Sequence, residues 1–428
     1  MSAPTARFVS RLTRSTLALI LAGGRGSRLK MLSDWRAKPA VPFGGKFRIV
    51  DFTLSNCLNS GILRISVLTQ YKSHSLIRHI MEGWNSLRGE HGEFIELIPA
   101  QQWLEDDSWY QGTADAVFQS LDIVQSHDPE LVLILAGDHI YKMDYGEMLG
   151  AHEEAHADVT VACNQVPIES ACEFGVMEID GRERIIGFEE KPEAPKPLPQ
   201  DASQALVSMG IYVFDAEYLA EHLHRDSDVP DSSHDFGHDI VPYAVRNGHK
   251  VQAYPFNSRG CGADYWRDVG TIDAYYEANL ELTKPDSPLD LYDSKWPIYT
   301  YQPQLPPAKF MDHGLEGGGR MNDSMASGGC VVENSVINNS LLFSNAKVEN
   351  GCHFDGILVL PDCTVGRGSR LRRTILDNGC QVPPGTVIGE NADLDASLYH
   401  RSEGGVVVVN RAMLGQQRQY QPSMVFSS

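Results

Sequence analysis

Residues 17–21 form a short apolar run, and behind it the chain reads Leu21-Ala22-Gly23-Gly24-Arg25-Gly26-Ser27-Arg28-Leu29-Lys30, a glycine loop carrying three cations. Glycines let backbone N–H groups close on phosphate oxygens, and a helix expected from Ser27 onward would add its positive end. The chemistry suggested is a grip on a polyphosphate. The loop lacks the Lys-Ser/Thr ending of a P-loop, and Leu29 stands where a dinucleotide fingerprint has its third glycine. Taken alone, the loop could equally be a turn with solvated arginines. Asp138 closes the apolar run Leu131–Ala136 after one glycine, so its carboxylate would face the crevice where a nucleotide should lie. Asp268, in Tyr265-Trp266-Arg267-Asp268-Val269-Gly270-Thr271, precedes a helical stretch. Either carboxylate could instead cap a turn or helix. Phe188-Glu189-Glu190-Lys191-Pro192 ends a strand at a proline and leaves Lys191 at its tip, where a surface lysine is the ordinary occupant.

The elements that must position these groups alternate. Residues 63–70, Leu131–Ala136 and 159–166 read as strands. Between the first two, Thr113 starts a helix with Ala114, Val117, Phe118, Leu121 and Val124 on one face. A hairpin is expected for Gly175–Ile179 with 184–189, then a strand at 207–214 and a helix at 271–282. The alternation implies a doubly wound, mostly parallel α/β sheet over residues 1–284, with ligands beyond the carboxyl ends of its strands. Six prolines between Pro285 and Pro307 and the glycines of 314–319 read as a linker over 285–320. Beyond it, apolar residues recur every six positions: Val336, Leu342, Val348 and Phe354, then Val359, Val365 and Leu371, then Leu376, Val382 and Ile388. Turn formers fill the gaps, which marks a parallel β-helix over 321–428 rather than period-two strands.

The 428 residues suffice for two domains, and a formal charge of −20 argues against a nucleic-acid surface. Against that acidic background, residues 25–48 hold seven cations (Arg25, Arg28, Lys30, Arg36, Lys38, Lys46, Arg48) and one carboxylate, Asp34. Such an island suits a small anionic substrate. Eight cysteines (57, 163, 172, 261, 330, 352, 363 and 380) include no Cys-x-x-Cys pair, so buried thiols in a reducing cytoplasm are expected. Arg7, Arg11 and Arg14 before an apolar run imitate a signal peptide, but cleavage there would remove the strand that carries the glycine loop. No stretch is long and apolar enough to be read as a membrane span.

The glycine loop, together with Arg36-Ala37-Lys38-Pro39-Ala40-Val41-Pro42-Phe43-Gly44-Gly45-Lys46-Phe47-Arg48 and Asp51-Phe52-Thr53-Leu54-Ser55-Asn56-Cys57, resembles the bacterial ADP-glucose pyrophosphorylases (glucose-1-phosphate adenylyltransferases), and the likeness recurs at intervals to about Leu414. The resemblance implies a nucleotidyltransferase sheet followed by a left-handed parallel β-helix, and the reaction ATP plus glucose 1-phosphate to ADP-glucose and pyrophosphate. It implies that Asp138 and Asp268 hold Mg²⁺, and that Arg28, Lys38 and Asp138 are catalytic. Leu21, Gly23, Gly24, Gly26, Gln70 and Gly112 then meet the nucleotide. Tyr110, Gly175, Glu190, Lys191, Ser208, Tyr212 and Asp235 meet the sugar phosphate. Trp35 stands where many relatives have a cation used for an anionic activator, and Trp35, Arg36, Arg48, Arg372, Arg373 and Arg411 are the implied effector group. A homotetramer, an anionic metabolite as activator, AMP as inhibitor and a role in glycogen or starch synthesis are further implications. A transferase for another nucleoside triphosphate and a non-catalytic regulatory subunit are the competing readings. Relatives of the second kind tend to lose the catalytic residues, whereas all of Arg28, Lys38, Asp138, Lys191 and Asp268 are present.

Overall fold

The apolar run at residues 17–21 becomes the middle of a sheet. A computed structural model of the chain describes residues 6–24, 26–85, 87, 89–100, 110–256, 265–312 and 319–416. Arg25, Trp109, Cys261 and residues 314–318 of the glycine-rich stretch lie outside them. The strands of the first part are β1 (Thr16–Leu21), β2 (Pro42–Phe43), β3 (Phe47–Arg48), β4 (Arg64–Thr69), β5 (Phe94–Pro99), β6 (Leu131–Ala136), β7 (His139–Tyr141), β8 (Val159–Pro167), β9 (Gly175–Ile179), β10 (Ile185–Glu190), β11 (Gln204–Asp215), β12 (Val251–Pro255) and β13 (Trp266–Asp268). β5, β4, β1 and β6 run parallel in that order. β11 then pairs antiparallel with β6, β8 and β9, so half of the sheet is mixed.

Alternation along β1 shows why the sheet is covered on both faces. Ala18 and Ile20 enter one apolar cluster with Leu133 and Leu135 of β6, while Leu17 and Leu19 enter another with Val132 and Ile134. Helix α1 (Ala6–Ser15) places Leu12 in the first cluster, and the helices Thr113–Phe118 and Leu121–Ser126 serve the second. The single helix expected from Thr113 is thus two, broken at Ser120 with φ −104 and ψ 8.

The six-residue pattern is a coil of a parallel β-helix. Val348, Val365 and Val382 stack in register, as do Phe354, Leu371 and Ile388, and Leu342, Val359, Leu376 and Val409. Between Ile337 and Ile388 the coils advance by seventeen residues, with Asn339, Gly356 and Arg373 at the matching corner, all at positive φ (45, 69 and 44). The β-helix begins before residue 321. Lys309–Met311 already pairs in parallel with Val331–Glu333. The stretch ahead of it is no free tether: Trp296 Nε1 donates to Asn56 and the Tyr299 N–H to Ser55, both on helix α2 (Ile49–Asn59).

The two parts share one apolar cluster, with Phe43, Phe52 and Tyr275 packed against Leu341, Phe343, Leu358, Ile375 and Val408. Polar joints surround it. Tyr276 donates to the Gly356 carbonyl at 2.8 Å, where any Cβ would stand 2.6 Å from the phenol oxygen, and Ser402 donates to Asp273 at 2.6 Å. The described cysteines are free and buried except Cys172, which is exposed.

Candidate active site

In-register parallel strands deliver three loops to one edge. Leu21 of β1 lies beside Leu68 of β4 and Ala136 of β6. The residues that follow, Gly23 and Gly24, Gln70, and Asp138, therefore open together on a cavity of about 480 Å³. Leu21 and Lys38 line the same cavity, and Tyr110, Gly112, Glu190, Lys191, Tyr212 and Asp235 complete its wall. The Gln70 amide sits between two backbone segments. In one orientation it donates to the Tyr110 carbonyl at 3.3 Å; turned over, it donates to Gly23 O at 3.3 Å and accepts from the Tyr110 N–H at 3.2 Å.

Two close approaches explain glycines in the wall. A Cβ at Gly112 would stand 2.2 Å from the His234 carbonyl oxygen, which itself accepts from the Ala114 N–H at 2.8 Å. Gly175 and Gly237 flank the Glu190 carboxylate, since a Cβ on either would come within 2.8 Å of Oε2. Gly175 thus acts from behind Glu190. Lys191 follows β10 at φ 47, reaches Glu190 at 3.1 Å and keeps 64% of its side chain exposed. Asp235 accepts from Thr113 Oγ1 at 2.8 Å and caps the turn Phe236–Ile240 through Gly237 and His238. Ser208 bonds Tyr212 OH at 3.4 Å and so supports the cavity rather than lining it.

The charged centre lies at the cavity rim. Lys38 is 7% exposed, and its ammonium donates to Asp138 at 2.9 Å and to Asp268 at 2.7 Å. Burial works against the Lys38 charge, but the two carboxylates outweigh it and raise its pKa above the usual lysine value. Asp138 is held well below the usual carboxylate range: desolvation opposes this, and the charges of Lys38 and His139 prevail. The antiparallel pair β7–β13 sets His139 opposite Asp268, which is how residues so far apart in sequence meet. One ligand atom from each of Asp138, His139 and Asp268 lies within 4.8 Å of the others. His139 Nδ1 is buried without a partner.

The stretch after the glycine loop is not a regular helix. Residues Ser27–Ser33 form tight 3₁₀ turns kinked at Lys30, whose φ is 48, so no helix dipole points at the cavity. Gly26 closes this stretch onto Lys38, with its carbonyl held by Ser33 Oγ at 2.8 Å. Arg28 does not line the cavity. Its guanidinium pairs with Glu173 at 2.7 Å and with Asp268 at 3.4 Å.

Most residues of the implied effector group are engaged in contacts of their own. Arg36 is 1% exposed and is spent on the joint between the two parts: it bonds Asp377 at 2.5 Å, Asn378 at 2.8 Å and the Leu32 carbonyl at 2.8 Å. This removes it as a free anion ligand. Trp35 lies 4.3 Å from the Arg36 guanidinium and donates to Asp377 at 3.4 Å, so it packs in the same joint. Arg48 bonds the Ser75 carbonyl, and burial lowers its pKa to about 10. Arg372 faces Asp355 at 3.6 Å, and Arg373 donates to the Gly404 carbonyl at 3.1 Å. Arg411 has its Nε buried without a partner.

Residues 17–285 match the Nucleotidyl transferase family, and residues 306–409 match the GlmU-like C-terminal hexapeptide family. Glucose-1-phosphate adenylyltransferase of Nitrosococcus oceani is 57% identical to this chain over 97% of its length and 98% of the relative's. The enzyme of the same name from Methylobacillus flagellatus is 56% identical and that of Methylococcus capsulatus 55%, each over 96% of this chain and 97% of the relative. The chain belongs to the glucose-1-phosphate adenylyltransferase family. The hexapeptide coils of this family member are accordingly a left-handed β-helix. Among the described residues, no helix is long and apolar enough to cross a membrane.

Sequence reasoning passed over several residues that the fold brings to the site. His139 follows Asp138 directly, but only the β7–β13 pairing reveals its place. Gly210, at φ 68 in the β11 bulge, and Phe236 and Gly237 also line the cavity. Glu173 and Asp377, the counter-ions of Arg28 and Arg36, had no signal in their local sequence.

Proposed function

We propose that the chain joins ATP and glucose 1-phosphate to give ADP-glucose and pyrophosphate. The observation that carries this reading is Lys38 bridging Asp138 and Asp268 at the rim of a cavity built from three in-register strand ends. The reaction is attack of the sugar-phosphate oxygen on the α-phosphorus of ATP. A phosphate monoester with a second pKa of about 6 is mostly dianionic at neutral pH, so neither a protein nucleophile nor a general base is required. The protein's work is to hold several anionic groups together in line and to neutralise charge on the departing pyrophosphate.

The backbone of Gly23 and Gly24 and the amide of Gln70 receive the nucleotide. Lys191, exposed in the cavity wall, attracts the sugar phosphate, and Glu190 accepts from sugar hydroxyls. Lys38, charged throughout the neutral range, and Arg28 neutralise the phosphates. The oxygen donors of Asp138 and Asp268 suit a hard divalent cation such as Mg²⁺, with His139, whose Nδ1 has no partner, beside them. A metal held there would supply positive charge against the reacting phosphates.

We extend the proposal to a homotetrameric cytoplasmic enzyme of glycogen or starch precursor synthesis, activated by an anionic metabolite and inhibited by AMP. Arg48, Arg372, Arg373 and Arg411, whose Nε has no partner, are its remaining candidate anion ligands, since Arg36 is taken by Asp377. The catalytic reading is tested by ³¹P NMR of the chain with ATP, glucose 1-phosphate and Mg²⁺. Paired growth of a pyrophosphate diester and inorganic pyrophosphate supports it. Hydrolysis of ATP without the diester refutes it.

A further inference from the structure

We propose that Glu173 is a positioning residue that clasps Arg28 away from the phosphate cavity, and that an incoming polyphosphate opens this clasp. The inference rests on the reading of Arg28 as a phosphate-neutralising cation. One arm of the guanidinium, Nη1, meets Glu173 Oε2 at 2.7 Å, and the other, Nη2, meets Asp268 Oδ2 at 3.4 Å. The group lies over Gly270, where a Cβ would stand 2.9 Å from Nη2, so the parking place is shaped for it. Glu173 ends the turn Ile168–Glu173, and its neighbours fix it. The Phe174 ring packs 5.2 Å from Trp266, and the Phe174 carbonyl accepts from the Lys191 N–H at 3.0 Å. The backbone beside Glu173 is therefore tied to the strand that bears Asp268 and to the turn that bears Lys191.

This pairing occupies the charge that the reaction needs elsewhere. While clasped, Arg28 sits against the Asp268 carboxylate and contributes nothing to the wall of the cavity. The clasp faces a cleft of about 900 Å³ lined by Glu173, Phe174, Trp266, Asp268 and Gly270, which leaves the arginine room to move. Both partners are about half exposed, at 55% and 52%. An exposed pair of this kind biases an equilibrium by about two- to fivefold, little enough for a polyphosphate to overcome and enough to measure.

The test is the dissociation constant for ATP with Mg²⁺, measured by titration calorimetry at low salt on the full chain, for wild type, Glu173→Gln, Glu173→Ala, Arg28→Gln and the Glu173→Gln/Arg28→Gln double variant. Both Glu173 variants should bind ATP about two- to fivefold more tightly. Arg28→Gln should bind more weakly, and Glu173→Gln should add nothing in its background. Raised ionic strength should close the gap between wild type and Glu173→Gln. Unchanged or weaker ATP binding by the Glu173 variants overturns the clasp, as does the same tightening with Arg28 already removed. Wild type that fails to bind ATP, or Arg28→Gln that binds as tightly as wild type, overturns the underlying reading of Arg28 instead.

Discussion

Asp377→Asn probes the joint that ties the β-helix to the catalytic centre. Asp377 pairs with the buried Arg36, whose neighbour but one in sequence is Lys38. The substitution keeps the shape and one acceptor oxygen but leaves a buried guanidinium without its counter-charge. Breaking a buried pair from one side costs about 3–5 kcal/mol. The lower end applies, because Asn378 and the Leu32 carbonyl still accept from Arg36. At about 2.1 cal/mol/K of unfolding entropy per residue, 428 residues give about 0.9 kcal/mol/K, so a loss of about 3 kcal/mol lowers Tm by about 3 °C when the whole chain melts together. The shift is larger if the β-helix melts separately. Differential scanning fluorimetry reads this directly, and turnover should fall in parallel as the Lys38 backbone loses its anchor. The double change Arg36→Met/Asp377→Leu removes both charges and should recover most of the lost stability. An Asp377→Asn protein melting with wild type, or a double variant less stable than the single, would refute the buried-pair argument.

Asp138→Asn should lower kcat by about a hundred- to a thousandfold with an unchanged circular dichroism spectrum; wild-type turnover at saturating Mg²⁺ would contradict its assignment. Lys191→Gln should raise KM for glucose 1-phosphate far more than KM for ATP, and an equal rise in steady-state kinetics would place the lysine elsewhere. The Lys38–Asp138 pair fixes a pH window. Because Asp138 is lowered, the stability it contributes is present above the ordinary carboxylate value of 3.8 and is lost as pH falls through its lowered value. Because Lys38 is raised, its share is present below 10.5 and is lost as pH climbs through its raised value. The Tm gap between wild type and Asp138→Asn should therefore stay constant from about pH 5 to 9, and a gap that closes within that window would be the contrary result.

The strands and the β-helix coils were legible because burial leaves a direct trace in the order of residues. Leu131–Ala136 is an apolar run and Gly175–Ile179 a hairpin arm, and the observed bounds of both match the expected ones. The repeat through Val348, Val365 and Val382 is visible because each coil turns the same side chain inward. The helix expected after Ser27 failed because Lys30 adopts a left-handed backbone that composition does not announce. Arg36 was misplaced for another reason. A cation within a basic island looks free, whereas its partner Asp377 lies 341 residues away and is buried with it. His139 and Glu173 escaped notice on the same ground, since their roles come from the β7–β13 pairing and from Arg28 rather than from neighbours in sequence.

The central claim is adenylyl transfer to glucose 1-phosphate at the Lys38–Asp138–Asp268 centre. Its most direct test is pyrophosphate release measured in parallel with ATP, UTP, GTP, CTP and dTTP, each with and without glucose 1-phosphate. Release with ATP should stand well above that with every other nucleotide and should depend on glucose 1-phosphate and on Mg²⁺. Release independent of the sugar phosphate, no release with ATP, or a preference for another nucleoside triphosphate would contradict it.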